Sequence, residues 1–89
     1  MSGNANVFLL NISGKDRPGL VAQLAGVMGQ HEVKILDIGQ AVIHDYLALG
    51  ILVEIPDEAT WSTVMKELLF LAHELEIQVR FNPVPSEQY

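Results

Sequence analysis

Hydrophobic spacing switches period several times along these 89 residues, and the order of the switches admits few folds. Val7 to Ile12 (VFLLNI) is a short, nearly unbroken apolar run, as expected of a strand buried on both faces. Gly14-Lys15-Asp16-Arg17-Pro18-Gly19 breaks it with loop chemistry, and from Leu20 the spacing becomes helical, with Leu20, Val21, Leu24, Val27 and Met28 on one side. Asp16 is placed to cap that helix, Pro18 suits its first turn and Gly29 its end. Lys34 to Ile43 alternates loosely as a half-polar strand, and Leu47 to Ile55 (LALGILVEI) is a second continuous apolar run. The His44-Asp45-Tyr46 connection is short enough to make these two an antiparallel hairpin.

Pro56-Asp57-Glu58 then opens a second helix with acids in its first turn, where the helix dipole favours them. Its apolar stripe is Trp61, Val64, Leu68, Leu71, Ala72 and Leu75. Ile77, Val79 and Phe81 alternate with Gln78, Arg80 and Asn82, the pattern of an edge strand with one wet face. The order is βαββαβ. The first and third strands are the most apolar and belong in the centre. The expected fold is therefore α+β and ferredoxin-like, an antiparallel sheet in spatial order 4-1-3-2 with both helices on one face, as right-handed crossovers require. The expected core contains Leu9, Leu24, Val27, Ile51, Val53, Trp61, Leu68 and Leu71. The opposite face of so apolar a sheet calls for a second copy or a second domain, with the edge from Ile35 to Ala41 as a candidate seam.

Composition narrows the partners. Five Lys plus Arg against eleven Asp plus Glu give a formal charge of −6, which repels phosphate backbones and anionic lipid and argues against nucleic acid and membrane. The apolar stretch Tyr46 to Val53 is too short to span a bilayer, and the N-terminal Met1 to Asn6 has no basic residue and is followed by no signal core. With no Cys, disulfide and thiolate chemistry are excluded, and a cytoplasmic protein is the expectation.

Catalytic constellations are absent. His31, His44 and His73 are too scattered for a local metal motif and read as helix-end or turn residues. Asp37 alone in a strand is a buried acid or, better, a polar group at an interface, since one carboxylate makes no acid–base pair. An RNA-recognition sheet would carry stacking aromatics on its central strands, and only Phe8 is there. Arg17 sits where an acylphosphatase would hold phosphate, but an exposed turn arginine explains it as well.

The loop Asn11 to Leu20 (NISGKDRPGL) resembles the first strand–helix junction of ACT domains, the amino-acid-sensing modules of metabolic enzymes. Its D-R-P-G-L core suits ligand binding. Gly19 lets the backbone approach a ligand, the helix amides after Pro18 can receive a carboxylate, and Asp16 can accept an ammonium group. The resemblance implies a ligand site at Gly14, Asp16, Pro18, Gly19, Leu20 and Lys34, with Lys34 closing it from the second strand or from a partner chain. It also implies a free amino acid, serine first, as ligand, and a homodimer or second ACT domain as partner. A purely structural interaction module, or a stand-alone regulator without ligand, is the alternative.

Asp37 to His44, Leu47 to Val53 and the ending Val79 to Tyr89 are similar to the first ACT domain of SerB-type phosphoserine phosphatases. That resemblance implies a parent activity in L-serine biosynthesis, hydrolysis of phosphoserine to serine, in a following domain that uses Mg²⁺. The D-x-D-x-T/S loop of that chemistry does not occur in this sequence, so no catalytic or metal residue is assigned. The expected division is an ACT domain over residues 1–82 and the start of a linker over 83–89.

Overall fold

The computed structural model describes residues 6–85. The N-terminal residues read above for a targeting signal, up to residue 5, and the end of the expected linker, residues 86–89, lie outside the described residues. Six elements follow in order: β1 (Asn6–Lys15), α1 (Leu20–Gln30), β2 (Lys34–Ile43), β3 (Tyr46–Ile55), α2 (Glu58–Leu75) and β4 (Gln78–Val84). The strands form one antiparallel sheet in the order β2-β3-β1-β4, the expected 4-1-3-2 read from its other edge. β4 continues through Pro83 and Val84, two residues past the boundary expected at Asn82.

Although β3 is almost continuously apolar, it alternates in burial, with Leu47, Leu49, Ile51, Val53 and Ile55 inside. The β1 register sets Leu10 opposite Ile51 and Ile12 opposite Leu49, so these four share the helix-covered face. Leu9, expected in the core, turns to the other face opposite Leu52, and Leu10 takes its place. An unbroken apolar run carries no alternation, so it cannot say which of two neighbouring leucines points inward.

Leu20, Leu24 and Met28 bury the inner face of α1, and Val64, Leu68 and Ala72 that of α2. Val27, Trp61 and Leu71 are partly buried against this cluster. Trp61, near the start of α2, stacks on Phe8 of β1 with ring centroids 4.0 Å apart and planes 13° apart. It meets Phe81 of β4 edge-on at 5.3 Å and 84°. Such contacts fix angle as well as distance, and so they tie α2 to both strands beneath it.

The helices do not reach over β2. Its register puts Ile35, Ile38 and Val42 on the helix side of the sheet, opposite Val53, Ile51 and Leu47, yet Ile38 and Val42 are each 46% exposed. An apolar edge strand of ten residues is thereby left uncovered, with a bulge between Ile35 and Asp37.

The two helix starts differ. Asp57 caps α2, its Oδ1 accepting the Thr60 amide at 2.7 Å, and that hydrogen bond holds its carboxyl below the ordinary value. Asp16, expected to cap α1, does not: the capping position is Gly19, at φ 80°, and no side chain caps the helix. Gly19 makes the turn by itself, and Asp16 lies three residues upstream of the capping position, one residue beyond the end of β1. Pro18 likewise precedes the helix and does not form its first turn.

Candidate functional site

The end of β1 and the start of α1 meet the β2–β3 hairpin at one end of the sheet. The Asp16 amide donates to the Asp45 carbonyl at 2.7 Å, and Lys15 Nζ lies 3.9 Å from the Asp45 carboxylate, both side chains well exposed. This hairpin is a two-residue turn in which His44 adopts φ 57°, a conformation few side chains take readily. The backbone link fixes the loop's first residue, and the left-handed Gly19 fixes its last.

Within the first turn of α1, the Leu20 amide donates to Arg17 at 3.3 Å and the Gln23 amide to Gly19 at 2.9 Å. Val21 and Ala22 have no hydrogen-bond acceptor among the described residues. Two donors at the positive end of a helix, with no side-chain capping hydrogen bond to them, can hold a carboxylate. The Asp16, Arg17, Pro18 and Gly19 side of the loop is exposed, whereas the Leu20 side chain is buried in the core. Gly14 is buried as well: a Cβ there would lie 2.7 Å from Ile77 Cγ2, so Gly14 has only backbone to offer.

Lys34 is not brought to this loop within one chain. β2 runs parallel to β1, and it is Ile43, at the far end of β2, that neighbours Tyr46 and through it Lys15. Nine residue steps of strand separate Lys34 from Ile43, about 30 Å at the usual rise. Only a second copy paired antiparallel along β2 would reverse that relation and set its Lys34 near the Ile43 end of the strand.

Among the described residues no group of His, Asp and Glu is gathered as metal ligands would be. His31 Nε2 pairs with the Glu67 carboxylate and so joins the end of α1 to α2, a helix-to-helix contact that the sequence reading of a solvated helix end had missed. His44 and His73 are exposed. Asp37 is exposed rather than buried, its Oδ1 accepting the Ile38 amide at 2.9 Å.

A second polar group lies on the sheet face away from the helices. Asn11 and Arg80 are paired across β1 and β4, as are Ser13 and Gln78, and Gly50 and Ala48 of β3 stand opposite Asn11 and Ser13. Together they line a shallow concavity of about 380 Å³. The alternation of Gln78, Arg80 and Asn82 marks one wet face in the sequence, but the register that sets Asn11 and Ser13 beside it does not show there.

The family model of the ACT domain matches residues 6–82. A UPF0237 protein of Methanocaldococcus jannaschii is 33% identical over 72 residues, 80% of this chain and 80% of its own length. The phosphoserine phosphatase SerB2 of Mycobacterium tuberculosis is 36% identical over 59 residues, 66% of this chain, but the chain spans only 14% of that enzyme's length. Among solved structures, an ACT domain protein from Streptococcus pneumoniae superposes with a TM-score of 0.75 at 22% identity, covering 90% of this chain and 91% of its own. No helix among the described residues is long and apolar enough to cross a membrane.

Proposed function

The chain belongs to the ACT domain family, and from that membership we propose that it is a regulatory module which binds a free amino acid at the β1–α1 loop and works as a pair of copies. One observation carries the reading: the Val21 and Ala22 amides have no acceptor among the described residues and stand behind a left-handed glycine, at the start of a helix without a side-chain cap. The ligand's carboxylate takes those amides, and its ammonium group takes the exposed Asp16 carboxylate. Gly14, Pro18, Gly19 and Leu20 shape the backbone around it, and the partner's Lys34 closes the site. Serine is the first ligand to test.

Two settings for the module follow from the relatives. The UPF0237 protein, matched over 80% of its length, supports a regulator that is little more than this domain. The SerB2 match supports a place at the start of a phosphoserine phosphatase, whose magnesium-dependent chemistry would lie in another domain. Amide shifts during titration with serine, glycine and phosphoserine test the site. Saturable shifts at Asp16, Gly19, Val21 and Ala22 that vanish in Asp16→Ala are expected, and their absence in the dimer rules out amino-acid sensing. Release of phosphate from phosphoserine by the full-length protein with Mg²⁺ tests the phosphatase setting.

A further inference from the structure

The open face of the sheet is not the apolar surface that the strand sequences predict. Over β1, β3 and β4 its rows read Ser13 beside Ala48 and Gln78, then Asn11 beside Gly50 and Arg80, with Leu9 and Leu52 only partly exposed in the next row. The large exposed apolar side chains of this face, Ile43 and Tyr46, are confined to its hairpin end beside Lys15, and the others lie on the helix side of β2 and on α2. A second sheet packed here would have to desolvate an arginine and three carboxamides with little apolar return.

Arg80 is the unusual member. In a chain of charge −6 its neighbours on this face are all neutral: Asn11 across the strand pair, and Gln78 and Asn82 along β4. Asn82 is itself engaged, its Nδ2 donating to the Leu9 carbonyl at 3.5 Å. Among the described residues the Arg80 guanidinium has no hydrogen bond and no carboxylate partner. The acidic residues of this face, Glu54 on β3 and Asp37 on β2, stand in other rows than Arg80, and Asp37 is also three strands away, about 14 Å across the sheet at the usual strand spacing. Lys15, two residues beyond Ser13 along β1, has its charge offset by the Asp45 carboxylate 3.9 Å away.

We propose that this concavity is a second ligand site, separate from the β1–α1 loop, which binds the carboxylate of a small polar molecule on Arg80. The guanidinium fork matches a carboxylate with two parallel hydrogen bonds. One arginine balances one negative charge, which favours a carboxylate over a phosphate dianion. Ser13, Asn11 and Gln78 supply neutral donors and acceptors for the rest of the molecule. Gly50 and Ala48 keep the floor low, and the volume of about 380 Å³ is at the small end of ligand pockets.

The experiment is an amide-shift titration of the whole chain with acetate, serine and inorganic phosphate at constant ionic strength. Both carboxylates should shift Asn11, Ser13, Gly50 and Arg80 saturably, with serine the tighter because it also uses the neutral groups. Arg80→Gln should weaken this binding about tenfold, the loss of one charge-assisted pair. Arg80→Lys should restore little, because an ammonium lacks the fork. Asp16→Ala should leave these shifts unchanged, which separates this site from the loop site. Unaltered binding in Arg80→Gln, phosphate binding as tight as serine, or shifts in these residues that follow protein dilution instead of ligand would each overturn the proposal.

Discussion

Gly14 and Ile77 occupy the same space: a methyl group on Gly14 would lie 2.7 Å from Ile77 Cγ2 and 3.2 Å from Ile77 Cα. Ile77 is buried at the entry to β4, and Gly14 faces it from the last turn-ward residues of β1, directly beneath the loop that leads into α1. The isoleucine fills the top of the core only because that residue has no side chain. Gly14→Ala should therefore destabilise the domain by about 1–3 kcal/mol, the range for forcing extra atoms into a packed core. Urea unfolding of the two proteins measures it, and equal midpoints would show that Ile77 moves aside freely.

Glu76 ends α2 in the left-handed region, at φ 57° and ψ 44°, with its amide on the His73 carbonyl and that of Ile77 on Ala72. Glycine is the residue that takes this helix-ending conformation without steric cost. Glu76→Gly should raise stability by about 1 kcal/mol, since the left-handed penalty for a side chain exceeds the extra entropy glycine loses. A thermal unfolding midpoint that falls instead would mean that the Glu76 side chain makes a contact worth more than the strain.

The periodicity of Leu20 to Met28 and of Trp61 to Leu75 made both helices legible, and the contrast between apolar and alternating runs placed all four strands in order. What remained hidden depends on register and on single dihedral angles. Leu9 and Leu10 look alike in sequence, and only pairing with Leu52 and Ile51 separates them. Asp16 looks like a cap for α1 as much as Asp57 does for α2, but Gly19 turns the chain after Asp16 and leaves its carboxylate free of the helix. The loop residues of the proposed amino-acid site are readable as a local motif. The grouping of Asn11, Ser13, Gln78 and Arg80 was not, because it joins residues some seventy positions apart.

Asp57 gives the domain a pH dependence of known sign. Its carboxyl lies below the ordinary 3.8 because the Thr60 amide bonds to the charged form. A depressed folded value means that the contribution is complete above the unfolded value and is lost as pH falls through the folded one. Asp57→Asn should therefore be less stable than the native chain near neutral pH, and the gap should close with acidification below about pH 4, where the unfolded carboxyl takes up its proton. Unfolding midpoints at several pH values follow the difference, and a gap constant down to pH 2 would remove the charge from the explanation.

The uncovered β2 edge leads to the prediction on which the loop site depends. Ile38 and Val42 are each 46% exposed on the side where the helices cover the rest of the sheet, and Ile43 is 71% exposed at the hairpin. Antiparallel pairing of β2 with β2 of a second copy would join the two sheets and bring α1 of each copy over these side chains. Ile38 then lies near the centre of the ten-residue strand and close to its own symmetry mate. Ile38→Asp would set two carboxylates against each other at that centre, where like charges across a strand pair are unfavourable. Sedimentation should show a dimer for the native chain and a monomer for Ile38→Asp, with far-ultraviolet circular dichroism unchanged because the side chain is exposed. The monomer should also bind serine more weakly at the loop, since the partner's Lys34 no longer reaches it, while Lys34→Ala should weaken serine binding and leave the dimer intact. A dimer that survives Ile38→Asp places the seam elsewhere. Loop binding that is equally tight in the monomer removes Lys34 from the site.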